Sequence, residues 1–185
     1  MVRCLIHLFD EWQDFRMAEL NSLFKFHGLS PLSPEYISAN KSNNYLFIDL
    51  PNSQVAKAIA SRSSLINEIL EVWESGETCE ELIAKLHTFT PSQESLELMD
   101  EKHTWSFEVG TYCRSMTREE KDSCRQSFKF LDIKGSVSCK NPDMELILLL
   151  NLENHKTDDI VMNCPAVPSY LGRLIGRGGM RDELK

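Results

Sequence analysis

Strand-like and helix-like segments alternate from the first residues onward, and that alternation restricts the chain to a mixed α/β architecture. Val2–Leu8 reads as an opening strand. Phe15, Leu20, Leu23 and Phe26 then recur close to helical spacing, which predicts a helix over 15–26 with these residues on its buried face. Asp14 is the expected N-cap and Gly28 the stop. Residues 30–44 carry two prolines and several Ser and Asn, and read as a loop. Tyr45–Leu50 is the second strand, ended by Pro51, and Ser53 opens a short helix through Arg62. Leu65–Trp73 is apolar and partly β-branched, which favours a strand over the alternative of a helix, and Thr78-Cys79-Glu80-Glu81 has the form of a capping box before Leu82, Ile83 and Leu86. This pattern indicates a small α/β domain over residues 1–90.

Residues 91–102 are polar and aperiodic and mark the expected boundary. Beyond them Trp105, Phe107 and Val109 alternate with Ser106, Glu108 and Gly110, as in a strand with one face buried. A second capping box, Thr117-Arg118-Glu119-Glu120, starts a helix running to about Leu131. A short strand is expected over Val137–Cys139, a turn at Asn141-Pro142, a central strand over Glu145–Leu152 and a last one over Ile160–Met162. The second domain is therefore expected over 91–168, with 169–185 as a glycine-rich linker, and the fold class is α+β.

Chemistry within the chain is limited by what its residues offer. Six cysteines are scattered without a CxxC pair, which fits reduced thiols better than a disulfide framework. The five histidines stand apart from one another and from the cysteines, so no zinc spacing arises. Neither a GxSxG nor an HExxH signature occurs. The tail Tyr170-Leu171-Gly172-Arg173-Leu174-Ile175-Gly176-Arg177-Gly178-Gly179 lacks the glycine spacing of a dinucleotide loop and the Lys-Ser/Thr of a P-loop. No catalytic, cofactor-binding or metal-binding residue is assigned. Val2–Phe9, with acids close behind, is too short for a membrane span or a signal peptide. The scattered, reduced cysteines point to the cytosol or nucleus, and of these a cytoplasmic location is expected.

The net charge of −8 alone argues against a nucleic-acid partner. Its distribution argues otherwise: 114–140 carries seven basic residues against four acids. Arg118, Lys121, Arg125 and Lys129 follow one another at i, i+3, i+7 and i+11 and share one side of the predicted helix. Arg114 upstream and Lys134 and Lys140 downstream extend the patch, and Arg173 adds a cation in the tail that Tyr170 could anchor. Two readings of this spacing compete. One is a solvated helix face partly neutralised by Glu119 and Asp122; the other is a phosphate-tracking surface.

Several segments, in order along the chain, resemble one family. Phe15-Arg16-Met17-Ala18-Glu19-Leu20-Asn21-Ser22-Leu23 resembles the first conserved helix of the eukaryotic THUMP-containing tRNA guanine-N2 methyltransferases. Glu71-Val72-Trp73-Glu74-Ser75-Gly76, Phe130-Leu131-Asp132-Ile133-Lys134-Gly135 with Lys140-Asn141-Pro142, and Tyr170-Leu171-Gly172-Arg173 are similar to its later segments. The resemblance implies an N-terminal ferredoxin-like domain followed by a THUMP domain. It implies a module that holds the acceptor end of tRNA while guanosine 10 reaches a methyltransferase domain beyond residue 185. The family's catalytic Asp-Pro-Pro-Tyr and its glycine-rich cofactor loop have no counterpart here. S-adenosylmethionine and a small zinc-binding activator subunit are therefore implied for the parent enzyme only. Under this resemblance Arg114, Arg118, Lys121, Arg125, Lys129, Lys134, Lys140 and Arg173 become the expected tRNA contacts. The alternative is a stand-alone RNA-binding or protein-interaction module without methyltransferase activity.

Overall fold

The computed structural model describes residues 1–10, 12–111, 115–151 and 168–178. Its contacts divide the chain into two compact units, Met1–Glu71 with the residues from Leu174 onward, and Val72–Arg173.

The first unit is built on β1 (Val2–Leu8), which pairs antiparallel with β2 (Tyr45–Leu50) on one side and with β3 (Ile66–Gly76) on the other. Helices α1 (Gln13–Phe26), α2 (Pro34–Asn40) and α3 (Ser53–Arg62) lie between these strands in sequence. Cys4, Ile6 and Leu8 alternate along β1 and bury one face of the sheet among Met17, Leu20 and Phe24 of α1 and Ala56, Ile59 and Ala60 of α3. The buried face of α1 is Arg16, Met17, Leu20, Leu23 and Phe24; Phe15 and Phe26 are exposed. The expected face is thus rotated: Leu20 and Leu23 are where the spacing puts them and the two phenylalanines are not. Asp14 is inside the first turn, and Trp12, in a left-handed conformation, takes the cap position without a side-chain bond. Within the expected loop 30–44, Ser33 accepts from the Tyr36 amide and Pro34 occupies the first helical position, so α2 forms there.

The second unit contains α4 (Cys79–Leu86), α5 (Gln93–Leu98), β4 (Thr104–Thr111), α6 (Arg118–Ser127), a 3-10 turn (Lys129–Leu131), β5 (Ser136–Val137), β6 (Met144–Leu150) and the first half of β7 (Ser169–Arg177). β4 pairs in parallel with both β5 and β6, and β6 pairs antiparallel with β7. Val109, Leu146, Leu148 and Leu171 form the core of this sheet with Leu82 and Leu86 of α4 and with Trp73. Because these last three side chains pack into the second core, the division falls within β3, at residue 71, ahead of the boundary expected near 90.

The linker expected over 169–185 is corrected for its first part. Ser169–Arg177 is a strand, and Tyr170 and Leu171 are buried. Its glycines serve close packing: a Cβ at Gly176 would lie 3.2 Å from the Ala60 methyl, and one at Gly178 would lie 1.8 Å from the Ile66 carbonyl oxygen. The expected strand over Ile160–Met162 lies outside the described residues. Among the described residues no helix is long and apolar enough to cross a membrane.

Candidate nucleic-acid interface

α6 forms because its first turn is closed by a full capping box. Thr117 Oγ1 accepts from the Glu120 amide at 3.2 Å, and Glu120 Oε2 accepts from the Thr117 amide at 2.8 Å. No residue of Arg118–Ser127 is buried, so the helix is held by its C-terminal flank. There Phe128 is buried and its ring centroid lies 5.7 Å from that of Phe107 on β4. Cys124, half-buried, packs in the same core.

This anchoring turns the cationic side of α6 outward. Arg118 has a side-chain exposure of 90% and touches Asp122 only at 3.9 Å. Arg125 is held more firmly: Nε donates to the Phe107 carbonyl at 3.2 Å and Nη1 donates to Asp122 Oδ1 at 2.6 Å. Asp122 therefore neutralises part of the stripe, as the solvated-face reading requires, while also orienting the Arg125 guanidinium. Lys121 is half-buried; Lys129, on the 3-10 turn, and Lys134 and Lys140 beyond it are exposed. None of these four lysines has an ion pair among the described residues.

Two of the expected contacts stand apart. Arg114 lies outside the described residues. Arg173 is buried in β7, and its Nη1 pairs with Glu94 at 3.1 Å. That arginine is committed to the interior of the second unit and is withdrawn from the surface set. Lys134 opens onto a separate hollow of about 490 Å3 together with Lys102 and Asp132.

The stripe borders a feature that the sequence did not disclose. A cleft of about 620 Å3 opens between β4, the end of α6 and the segment through β5, lined by Trp105, Phe107, Phe128, Leu131, Ile133 and Val137. Arg125 and Lys129 stand in the same lining. The alternation puts Trp105 on the face of β4 expected to be buried; it is half-buried, and its indole Nε1 donates to the Gly135 carbonyl at 2.8 Å, which fixes the ring against the cleft. The signal for the cleft was present in the alternation that puts Trp105 and Phe107 on one face of β4. What was missing was their placement beside Phe128, which only the fold supplies.

Asp143 Oδ2 accepts from both the Thr104 amide at 2.8 Å and the Thr104 hydroxyl at 2.9 Å, and these bonds hold its carboxyl below the usual range. Burial pushes the Cys79 thiol up, with Cys124 adding to the effect, which is the reverse of an activated nucleophile. Burial also raises the Tyr45 hydroxyl, to about 12. Among the described residues no group of three or more His, Cys, Asp or Glu is placed to hold a metal ion. Gly172 and Gly176 lie within β7 and not in a strand-to-helix loop.

The family described as the Tmrp11 THUMP N-terminal domain matches residues 2–180. The chain is 26% identical over 178 residues to the tRNA (guanine(10)-N(2))-methyltransferase TRMT11 of Gallus gallus, and 25% identical over 182 residues to that of Homo sapiens. Each alignment covers 95% of the chain but 37% of the relative. Among solved structures, TrmN from Thermus thermophilus shares the fold at a TM-score of 0.55 and 11% identity, over 96% of the chain and 46% of TrmN.

Proposed function

The chain belongs to the Tmrp11 THUMP N-terminal domain family, and from that membership we propose that it is the tRNA-gripping module of a tRNA guanine-N2 methyltransferase. The observation that carries the reading is the combination of a family match over 2–180 with a cationic stripe on one firmly capped helix. The relatives bear the name of an enzyme acting on guanosine 10 of tRNA, and the chain spans only 37% of their length. The module holds the acceptor end while the target guanosine reaches a methyltransferase domain outside these residues. S-adenosylmethionine is the methyl donor of that parent enzyme, and a small zinc-binding activator subunit is its protein partner, engaged through the methyltransferase domain. The enzyme works in the cytoplasm.

Within this chain the physical task is binding. Arg118, Lys121, Arg125 and Lys129 follow the phosphates, with Lys134 and Lys140 extending the surface; Arg114 is assigned to it from the sequence. Each phosphate neutralised releases condensed counterions, so affinity falls with salt. The test is a tRNA-binding titration over a salt series with the native chain and with Arg118→Glu/Lys121→Glu. The double variant is expected to bind roughly tenfold or more weakly and with a salt slope shallower by about one to two. Equal affinity and slope in both proteins would remove the stripe from the interface.

A further inference from the structure

We propose that the cleft between β4, the end of α6 and β5 is a nucleobase site: one unpaired base of the bound RNA inserts there while its phosphates stay on the stripe. The inference rests on the RNA-binding reading and adds to it a second kind of contact with a different chemistry.

The lining argues for a base over the alternatives. Phosphate tracking needs cations alone and gains nothing from Trp105, Phe107 and Phe128. An apolar protein segment would use the aromatic residues but has no use for Arg125 and Lys129 at the same opening. A nucleotide uses both, because it joins a flat π-surface to an anion. Two of the groups are fixed in advance. The Trp105 indole is held by its bond to the Gly135 carbonyl, and the Arg125 guanidinium by its bonds to the Phe107 carbonyl and Asp122. A ring and a guanidinium plane that are already oriented lose little freedom when a base stacks on them. Lys129 is exposed on the turn and carries no ion pair among the described residues, so it is available to the phosphate of the inserted nucleotide. The volume, about 620 Å3, lies within the range of pockets that hold small organic ligands, and it admits a base with its ribose.

The experiment pairs a change in the RNA with a change in the cleft. The RNA is a short hairpin with a single-stranded extension, prepared intact and with an abasic site at each extension position in turn. The proteins are the native chain, Cys139→Trp and Val137→Trp. Both substituted residues line the cleft from exposed positions, so the new indole fills it without entering the core. Thermal melts identify any variant that fails to fold, and the other variant then carries the test. In the native chain an abasic site at one position is expected to weaken binding roughly tenfold. In either filled variant the intact hairpin binds as weakly as the abasic one, and the salt slope matches that of the native chain. If no abasic position matters, or if the filled variants keep the full discrimination, the cleft is not a base site. An apolar protein segment as the natural occupant would give that same result. If the native chain binds no hairpin and shows no salt dependence, it is the RNA-binding reading itself that fails.

Discussion

Gly135 stands where a side chain has no room: a Cβ there would lie 2.0 Å from the His103 carbonyl oxygen, and backbone cannot swing aside. Its own carbonyl also receives the Trp105 indole proton. Gly135→Ala is therefore expected to cost about 3 kcal/mol, whereas Gly110→Ala, whose Cβ meets the movable Leu149 Cδ1 at 3.1 Å, costs under about 1 kcal/mol. Chemical denaturation of the two variants checks the ranking, and equal losses would overturn it. Asp143 makes a pH-dependent contribution. Its carboxyl titrates below its unfolded-state value, so the stability it adds is complete above the ordinary carboxylate range and is lost as pH falls through the folded-state value. The stability gap between the native chain and Asp143→Asn should accordingly be open at neutral pH and shrink as pH falls below the ordinary carboxylate range; a gap that persists undiminished in acid would exclude the carboxylate as its source. Arg173 shows how far a single residue could be read from the sequence. Its charge and its neighbours Tyr170 and Gly172 suggested an RNA contact, but its burial and its pairing with Glu94, seventy-nine positions away, have no local signal. Arg173→Leu should lower stability by about 1–3 kcal/mol and leave the salt slope of tRNA binding unchanged. A changed slope in a folded variant would return Arg173 to the interface.

At the scale of elements, the two capping motifs were legible because their physics is local. Both Thr78 and Thr117 cap their helices, although only Thr117 completes the reciprocal pair, since Glu81 reaches the Glu77 amide instead. Thr117→Ala removes the acceptor for the Glu120 amide and should cost about 1 kcal/mol, with the loss measured by thermal unfolding. If the stripe matters as a rigid array, the same variant also weakens tRNA binding by more than a change at the exposed Ser123 does. Two short helices escaped for the opposite reason. α2 and α5 each begin at a serine cap, Ser33 and Ser92, but the surrounding polar residues suppress the hydrophobic period by which a helix is recognised. β7 escaped because its glycines read as flexibility, while in the strand Gly176 permits the close approach of Ala60. The cleft was legible only in halves, as the alternation on β4 and the stripe on α6; their placement side by side left no periodic trace in the sequence.

For the molecule as a whole, an acidic chain that binds a polyanion has to act through a face and not through its net charge of −8. At physiological salt the screening length is about 8 Å, so a phosphate on α6 responds to the nearest cations and hardly at all to carboxylates on the far side of the protein. The consequence can be tested by moving the same amount of charge at two places. Replacing Arg118, Lys121, Lys129 and Lys134 by serine takes four positive charges from the candidate surface. Replacing Arg3, Lys41, Lys57 and Arg62 by serine takes four from exposed positions of the first unit. The first set should reduce tRNA affinity by roughly a hundredfold or more at moderate salt and flatten the salt slope by about two to four. The second should change affinity only several-fold, mainly at low salt, where screening is weak. Equal losses from the two sets would mean that the overall charge governs binding, or that the first unit carries contacts of its own, and either result would displace α6 as the principal RNA surface.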